Sequence, residues 1–237
     1  MKTAIRASIF ATIAMIAAPA LPQNQSPYET REQKVEAVQA ISVEGAFKVS
    51  VFGGSDTAEV ILFGPAELLA DAKAEIEDET LVIKFREGAV WSWNPGSGMH
   101  AVVKLPQVHS IAQSGPGHIT ARGIKGETVT LGVGGAGRVE ATGIEANTIE
   151  IGVGGSGTVA AEGSAGVASF GVGGSGQIEA KRLRVQTADI GVGGSGQIYA
   201  DVSEKAKVGV NGSGRVEVVG GGQCEFDPAE ASKIECR

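Results

Sequence analysis

The stretch Gly132-Val133-Gly134-Gly135-Ala136-Gly137-Arg138-Val139 decides the fold, because the chain repeats it at a nearly constant interval. The copies are GVGGSGTV at 152–159, GVGGSGQI at 171–178 and again at 191–198, and GVNGSGRV at 209–216. The steps between them are 20, 19, 20 and 18 residues. A weaker copy, Ser114-Gly115-Pro116-Gly117, precedes them, and SVEGAFKV at 42–49 matches Gly132–Val139 position by position. A fixed period of this length is the signature of a repeat architecture, in which each unit buries its apolar face only against its neighbours.

On either side of each copy, apolar residues alternate with polar ones. Val129, Leu131 and Val133 fall on one face before the glycines, and Val139 and Ala141 on the same face after them. The next coil repeats the pattern with Ile149, Ile151, Val153, Val159 and Ala161. Period-2 flanks joined by glycine corners predict an all-β fold, a single-stranded right-handed parallel β-helix with coils of about 20 residues. Like residues then stack on like, at about 4.8 Å per coil, and six clear coils make a rod roughly 30 Å long. The corner glycines are Gly135, Gly137, Gly155, Gly157, Gly174, Gly176, Gly194, Gly196, Gly212 and Gly214. They are expected to supply backbone angles that a Cβ would penalise. A second column, Gly132, Gly152, Gly171, Gly191 and Gly209, points outward and should leave one flank flat. Glycine is a poor strand residue, so Gly152, Gly171 and Gly191 are candidate contacts for a partner, a second chain or a ligand.

The ends read differently. Lys2 and Arg6, the apolar run from Ile9 to Ala18 and the small residues Ala18 and Ala20 form an export signal over residues 1–20, cleaved after Ala20. Residues 21–37 are a flexible leader, 38–108 an irregular β-rich part and 109–220 the regular coils. Residues 221–237 are a C-terminal cap closed by a disulfide between Cys224 and Cys236. Within 38–108, strands are expected near 49–51, 59–63, 81–85 and 101–105, and one helical turn near 65–69. No later apolar run is long enough for a transmembrane helix. Export of such a chain leads to the periplasm or the cell surface of a Gram-negative bacterium.

The formal charge is −7, and about −9 once Lys2 and Arg6 leave with the signal. With no run of Lys and Arg, nucleic acid is excluded as a partner. The sequence also satisfies G-x-G-x-x-G at Gly132, Gly152, Gly171 and Gly191, yet a strand follows each copy where a dinucleotide site needs a helix. Aspartates are missing from the places a calcium-binding nonapeptide requires. His100, His109 and His118 have no metal-ligand spacing, with His109 in inward register and His118 outward. No cofactor, metal or catalytic residue is therefore assigned. Glu140, Glu179 and Glu217 share an outward column broken by Ala160 and Tyr199, which reads as a solvated face. Trp91 and Trp93, two apart in WSWNPGSG, share a face and either plug the first coil or contact a sugar or partner. Lys181-Arg182-Leu183-Arg184 is a local basic cluster, either a solvated bend or a receiver for an acidic partner.

Three stretches carry a family resemblance. They are ISVEGAFKVSV at 41–51, TLVIK at 80–84 with VKLP following at 103–106, and the Gly-Ser-Gly corners ending at Gly214. Over residues 38–220 the chain resembles the auto-transporter adhesin head, or GIN, domain family. That resemblance implies an exported β-helical envelope domain without established catalytic residues. The tail holding Cys224 and Cys236 lies beyond the family pattern. The expected role is a non-enzymatic binding or scaffolding module for an envelope glycan or protein, working through its lateral faces. The alternatives are a carbohydrate-active β-helix enzyme and a self-associating structural module that forms homo-oligomers.

Overall fold

The computed structural model describes residues 28–88, 98–227, 229 and 233–237. Its N-terminal elements are β1 (Tyr28–Lys34), β2 (Ala40–Glu44), β3 (Phe47–Gly53), β4 (Glu59–Pro65), α1 (Ala66–Asp71), β5 (Ala72–Glu77), β6 (Thr80–Phe85) and β7 (Met99–Leu105). Then come β8 (Ser110–Ser114), β9 (His118–Arg122), β10 (Lys125–Val133), β11 (Arg138–Val153), β12 (Thr158–Val172) and β13 (Gln177–Val192). The chain ends in β14 (Gln197–Val210), β15 (Arg215–Val219), β16 (Gln223–Glu225) and β17 (Ile234–Cys236).

From β8 onward each coil lies parallel on the one before it, and the architecture is a parallel β-solenoid of about six regular turns. The register follows the sequence motif: Leu131 pairs with Ile151, Gly132 with Gly152 and Val133 with Val153. Interior side chains therefore form continuous ladders. One runs Leu81, Ile41, Ile111, Leu131, Ile151, Phe170, Ile190 and Val208, all buried. Full burial of a side chain of this size contributes about 1.5–3 kcal/mol, and no single coil could achieve it. Alternation of inward residues breaks after Ala141 and again after Ala146. Each coil thus has three sides, which in the Arg138–Val153 turn are 138–142, 144–147 and 148–153.

Two kinds of corner join the sides. At the Gly-Gly-Ser-Gly corner the glycines Gly135, Gly155, Gly174 and Gly194 do not adopt positive φ, so the reason inferred from sequence is corrected. The constraint is crowding between coils. A Cβ on Gly155 would sit 2.6 Å from the Gly135 carbonyl oxygen, and one on Gly157 would sit 2.4 Å from Val133 Cγ1. Gly212, with φ of 128°, is the exception in the last copy. Positive φ also occurs in the two earliest copies of this corner, at Gly45 (φ 101°) and Gly115 (φ 105°), and at the second corner, at Gly123 (φ 71°), Gly143 (φ 68°) and Gly163 (φ 145°). Register shifts fall nearby, between Ala141 and Ile144 and between Ala160 and Glu162. The 19-residue step is absorbed there, and the 18-residue step between Ala180 and Arg184 and between Val185 and Thr187, without disturbing the Gly-Ser-Gly ladder.

Residues 38–108 are more regular than the sequence suggests. β2 and β3 form a coil directly under β8 and β9, and β6 and β7 form another beyond it. The order along the axis is thus inverted relative to the chain, because β4, α1 and β5 carry the backbone past the outer coil before β6 enters. Antiparallel strands then finish the end: β5 beside β6, β4 beside β7 and β1 beside β4. Leu69 of α1 is buried over the core. Tyr28–Lys34, read from sequence as flexible leader, is the polar strand β1. It is ordered by ladder bonds to β4 and by Arg31, which donates to the carbonyls of Leu69 (3.3 Å) and Ala72. A polar outer strand also blunts the edge against further pairing.

At the other end β16 pairs with β14 and β17 with β15. The disulfide Cys224–Cys236 joins these two short strands, and Phe226 and Ile234 pack partly buried against the core.

Candidate binding surfaces

The sides of the coil carry different chemistry. On the side that includes 148–153, Gly132, Gly152, Gly171, Gly191 and Gly209 stack in register, and an added Cβ at any of them would meet nothing within 4 Å. No described residue covers this column. Beside it stand Thr130, Glu150, Ser169, Asp189 and Lys207 on one hand and Gly134, Gly154, Gly173, Gly193 and Asn211 on the other. The result is a ledge of nearly bare backbone. It ends against the C-terminal cap in a depression of about 420 Å³ with Gly209 in its lining and Lys207, Glu225, Phe226 and Asp227 around it. Lys205 lies 2.6 Å from Glu225 and, by this hydrogen bond above all, holds its carboxyl below the usual range.

The side formed by residues 138–142 and their equivalents is polar. Its central column runs Glu140, Ala160, Glu179, Tyr199 and Glu217. Arg138 donates to Glu140 at 2.6 Å and reaches Glu179 at 3.7 Å, spanning the notch that Ala160 leaves. Lys181 sits 4.8 Å over the Tyr199 ring and 2.8 Å from Glu217, while Tyr199 donates to Gln197 at 2.6 Å. Ala160, Glu179, Lys181 and Tyr199, with Gln177 and Arg182, line an open depression of about 360 Å³. Hydrogen bonds from Arg138 and Lys181 respectively hold the Glu140 and Glu217 carboxyls below their ordinary range.

The basic cluster near residue 181 is largely taken up internally: Lys181 pairs with Glu217, Arg182 lies 3.4 Å from Glu162, and Leu183 is buried. Trp91 and Trp93 lie outside the described residues. His109 is half-buried in register below Val129, and His118 points outward. Among the described residues no group of His, Cys, Asp and Glu could hold a metal ion, and no helix is long and apolar enough to cross a membrane. Sequence reasoning missed a row of basic residues, His100, Lys48 and His118, that parallel pairing brings onto adjacent strands. Their numbering holds no signal of it, since they come from three separate segments.

A stacked parallel solenoid with capped ends defines an architecture rather than a particular chemistry. The chain belongs to the family described as "Putative auto-transporter adhesin, head GIN domain", whose model matches residues 38–222. Among solved structures it is similar to a protein from Bacteroides fragilis described as "a putative adhesin", at 20% identity and a TM-score of 0.73, covering 89% of this chain and 93% of that one. It is also similar to one from Parabacteroides distasonis described as "Putative lipid binding protein", at 19% identity and a TM-score of 0.66, covering 90% and 94%. A third, from Parabacteroides merdae and described as "a putative adhesin", shares 14% identity at a TM-score of 0.62, covering 90% and 94%. At these identities the likeness shows the fold alone. No curated protein matches the sequence.

Proposed function

We propose that this chain is an exported, non-enzymatic binding module of the bacterial envelope that holds its partner along the flat glycine flank. The observation that carries this reading is the uncovered column Gly132, Gly152, Gly171, Gly191 and Gly209. A strand interior gains nothing from glycine on its outward side, so five coils that keep it are best explained by something that must approach the backbone closely. The adhesin description of the family and the disulfide at the C-terminal end support export and a binding role. A signal peptide over residues 1–20 would deliver the chain to the periplasm or cell surface.

Carbohydrate-active chemistry draws no support from the three carboxylates whose pKa is shifted. A general acid needs its pKa raised, whereas Glu140, Glu217 and Glu225 are each held low by a cationic neighbour. Self-association through the same flank is the second reading, since a face without side chains lets two sheets approach closely.

A glycan array and an envelope pull-down, run with wild type, Gly171→Lys/Gly191→Lys and Trp91→Ala/Trp93→Ala, test the proposal. Retained glycan or envelope ligands that the lysine variant loses support it. Failure of the wild type to bind anything, with a concentration-dependent mass in light scattering, transfers the flank to self-association.

A further inference from the structure

One row of the polar side is basic, against the acidic balance of the chain. Lys48 lies in parallel register between His100 of β7 and His118 of β9, and Arg138 of β11 follows His118. Four nitrogen-bearing side chains therefore occupy four successive strands over about 14 Å. In the neighbouring column the same strands place the hydroxyls of Ser50 and Thr120, and one column further stands Arg122. His100, Lys48 and His118 line a shallow depression of about 240 Å³ together with Ser50, Val102 and Thr120.

Arg138 is spent on Glu140 and Glu179, but the centre of the row is not. Among the described residues, neither Lys48 nor Arg122 has a carboxylate within ion-pair distance, and the ring beside His100 is that of Phe63, at 6.2 Å. Two carboxylates border the row. Glu140 is engaged by Arg138 at 2.6 Å and stands 3.7 Å from His118, and Glu59 is engaged by Lys104 at 2.6 Å. What remains is a strip of ammonium, imidazole and hydroxyl donors with one unpaired lysine at its centre. Such a strip suits oxyanions presented in a line.

We propose that His100, Lys48 and His118, with Ser50 and Thr120 beside them, bind the carboxylate or sulfate groups of an acidic polysaccharide. The narrowness of the strip selects a chain over a surface. A flat anionic membrane laid on this side would also meet Glu140, Glu179 and Glu217, whereas a linear glycan touches the basic row alone. The site lies on a different side of the coil from the glycine flank, so either can fail without the other.

Fluorescence anisotropy with labelled oligogalacturonate tests the assignment, using a neutral malto-oligosaccharide of equal length and phosphatidylglycerol vesicles as further probes. The acidic oligomer binds, the neutral one does not, and binding weakens several-fold between about 25 and about 150 mM NaCl. Lys48→Glu weakens it by about tenfold or more, and Arg122→Gln weakens it less. Lys125→Glu, on the side of the coil that holds Glu145, leaves it unchanged. Lys48 and Arg122 are exposed, so unchanged circular-dichroism melting verifies that the variants fold. Equal binding of the neutral oligomer, no effect of Lys48→Glu, or no binding of any probe overturns the proposal. Vesicle binding that Lys48→Glu abolishes, without oligogalacturonate binding, also overturns it and gives the row to a lipid headgroup.

Discussion

Gln113 donates from Nε2 to the carbonyl oxygen of Gly45 at 3.1 Å, joining two coils whose residues lie 68 positions apart. It occupies the inward ladder that continues as Val133, Val153, Val172, Val192 and Val210, and among the described residues it is the buried polar side chain of the core. A second bond reaches the Ser114 carbonyl at 3.2 Å, while Oε1 is buried without a partner. The seam where the sequential order of coils is broken is thus stitched by a side chain as well as by the ladder.

Gln113 variants should separate packing from hydrogen bonding at this seam. Gln113→Ala loses both bonds and opens a cavity, so a cost of about 2–4 kcal/mol is expected. Gln113→Val restores the valine ladder and removes the orphaned Oε1, so it should fall within about 1 kcal/mol of wild type. Gln113→Glu would bury a carboxylate against two carbonyl oxygens, which raises its folded-state pKa. Its stability is then greatest in acid and is lost as pH rises through that value. Urea denaturation across pH measures all three.

The two glycine columns should answer substitution oppositely. Gly157→Ala drives a Cβ to 2.4 Å from Val133 Cγ1 and 2.5 Å from the Gly137 carbonyl oxygen, both inside the stack. A loss of about 1–3 kcal/mol or more follows from overpacking. Gly171→Thr enters open space on the outer face and should be neutral or stabilising by up to about 1 kcal/mol. Thermal melting of the pair checks the contrast.

Removing the disulfide with Cys224→Ser/Cys236→Ser should loosen one end before the rest. The bond closes a short loop, for which chain entropy predicts about 3 kcal/mol. Because each coil of a solenoid contacts only its neighbours, hydrogen exchange should accelerate in β14–β17 while β9–β12 stay protected. Uniform acceleration throughout would contradict this local coupling.

Acid should act at the same end. Glu217 lies 2.8 Å from Lys181 Nζ and 2.7 Å from Arg237, and the hydrogen bond from Lys181 is the first cause of its lowered pKa. A lowered folded-state pKa adds stability above the ordinary carboxylate range, and this is lost as pH falls through the folded value. The drop in melting temperature between about pH 7 and about pH 3 should therefore be smaller in Glu217→Gln than in wild type.

The regular coils were legible because a 20-residue step repeats the same inward pattern, and the pairing of Leu131 with Ile151 follows from it directly. The N-terminal coils were harder to read. β4, α1 and β5 intervene between β3 and β6, so no constant step links Ile41 to Leu81 even though the two stack. β1 was also missed, since a strand of sequence YETREQK has no apolar face and is held by ladder bonds and Arg31. At the candidate site, the glycine column could be read as outward from period 2. The His100–Lys48–His118 row could not, because parallel pairing of distant strands creates it.

By itself the sequence determined the coil: its length, its inward residues and the small residues at its corners, all of which depend on local alternation and a repeated step. The tertiary structure decided the order in which coils stack, the reason the corner glycines are needed and which charges stand side by side. These depend on contacts between strands far apart in the chain, such as Gly155 against the Gly135 carbonyl and Lys48 between two histidines. Local alternation carries no information about which coil will lie above another.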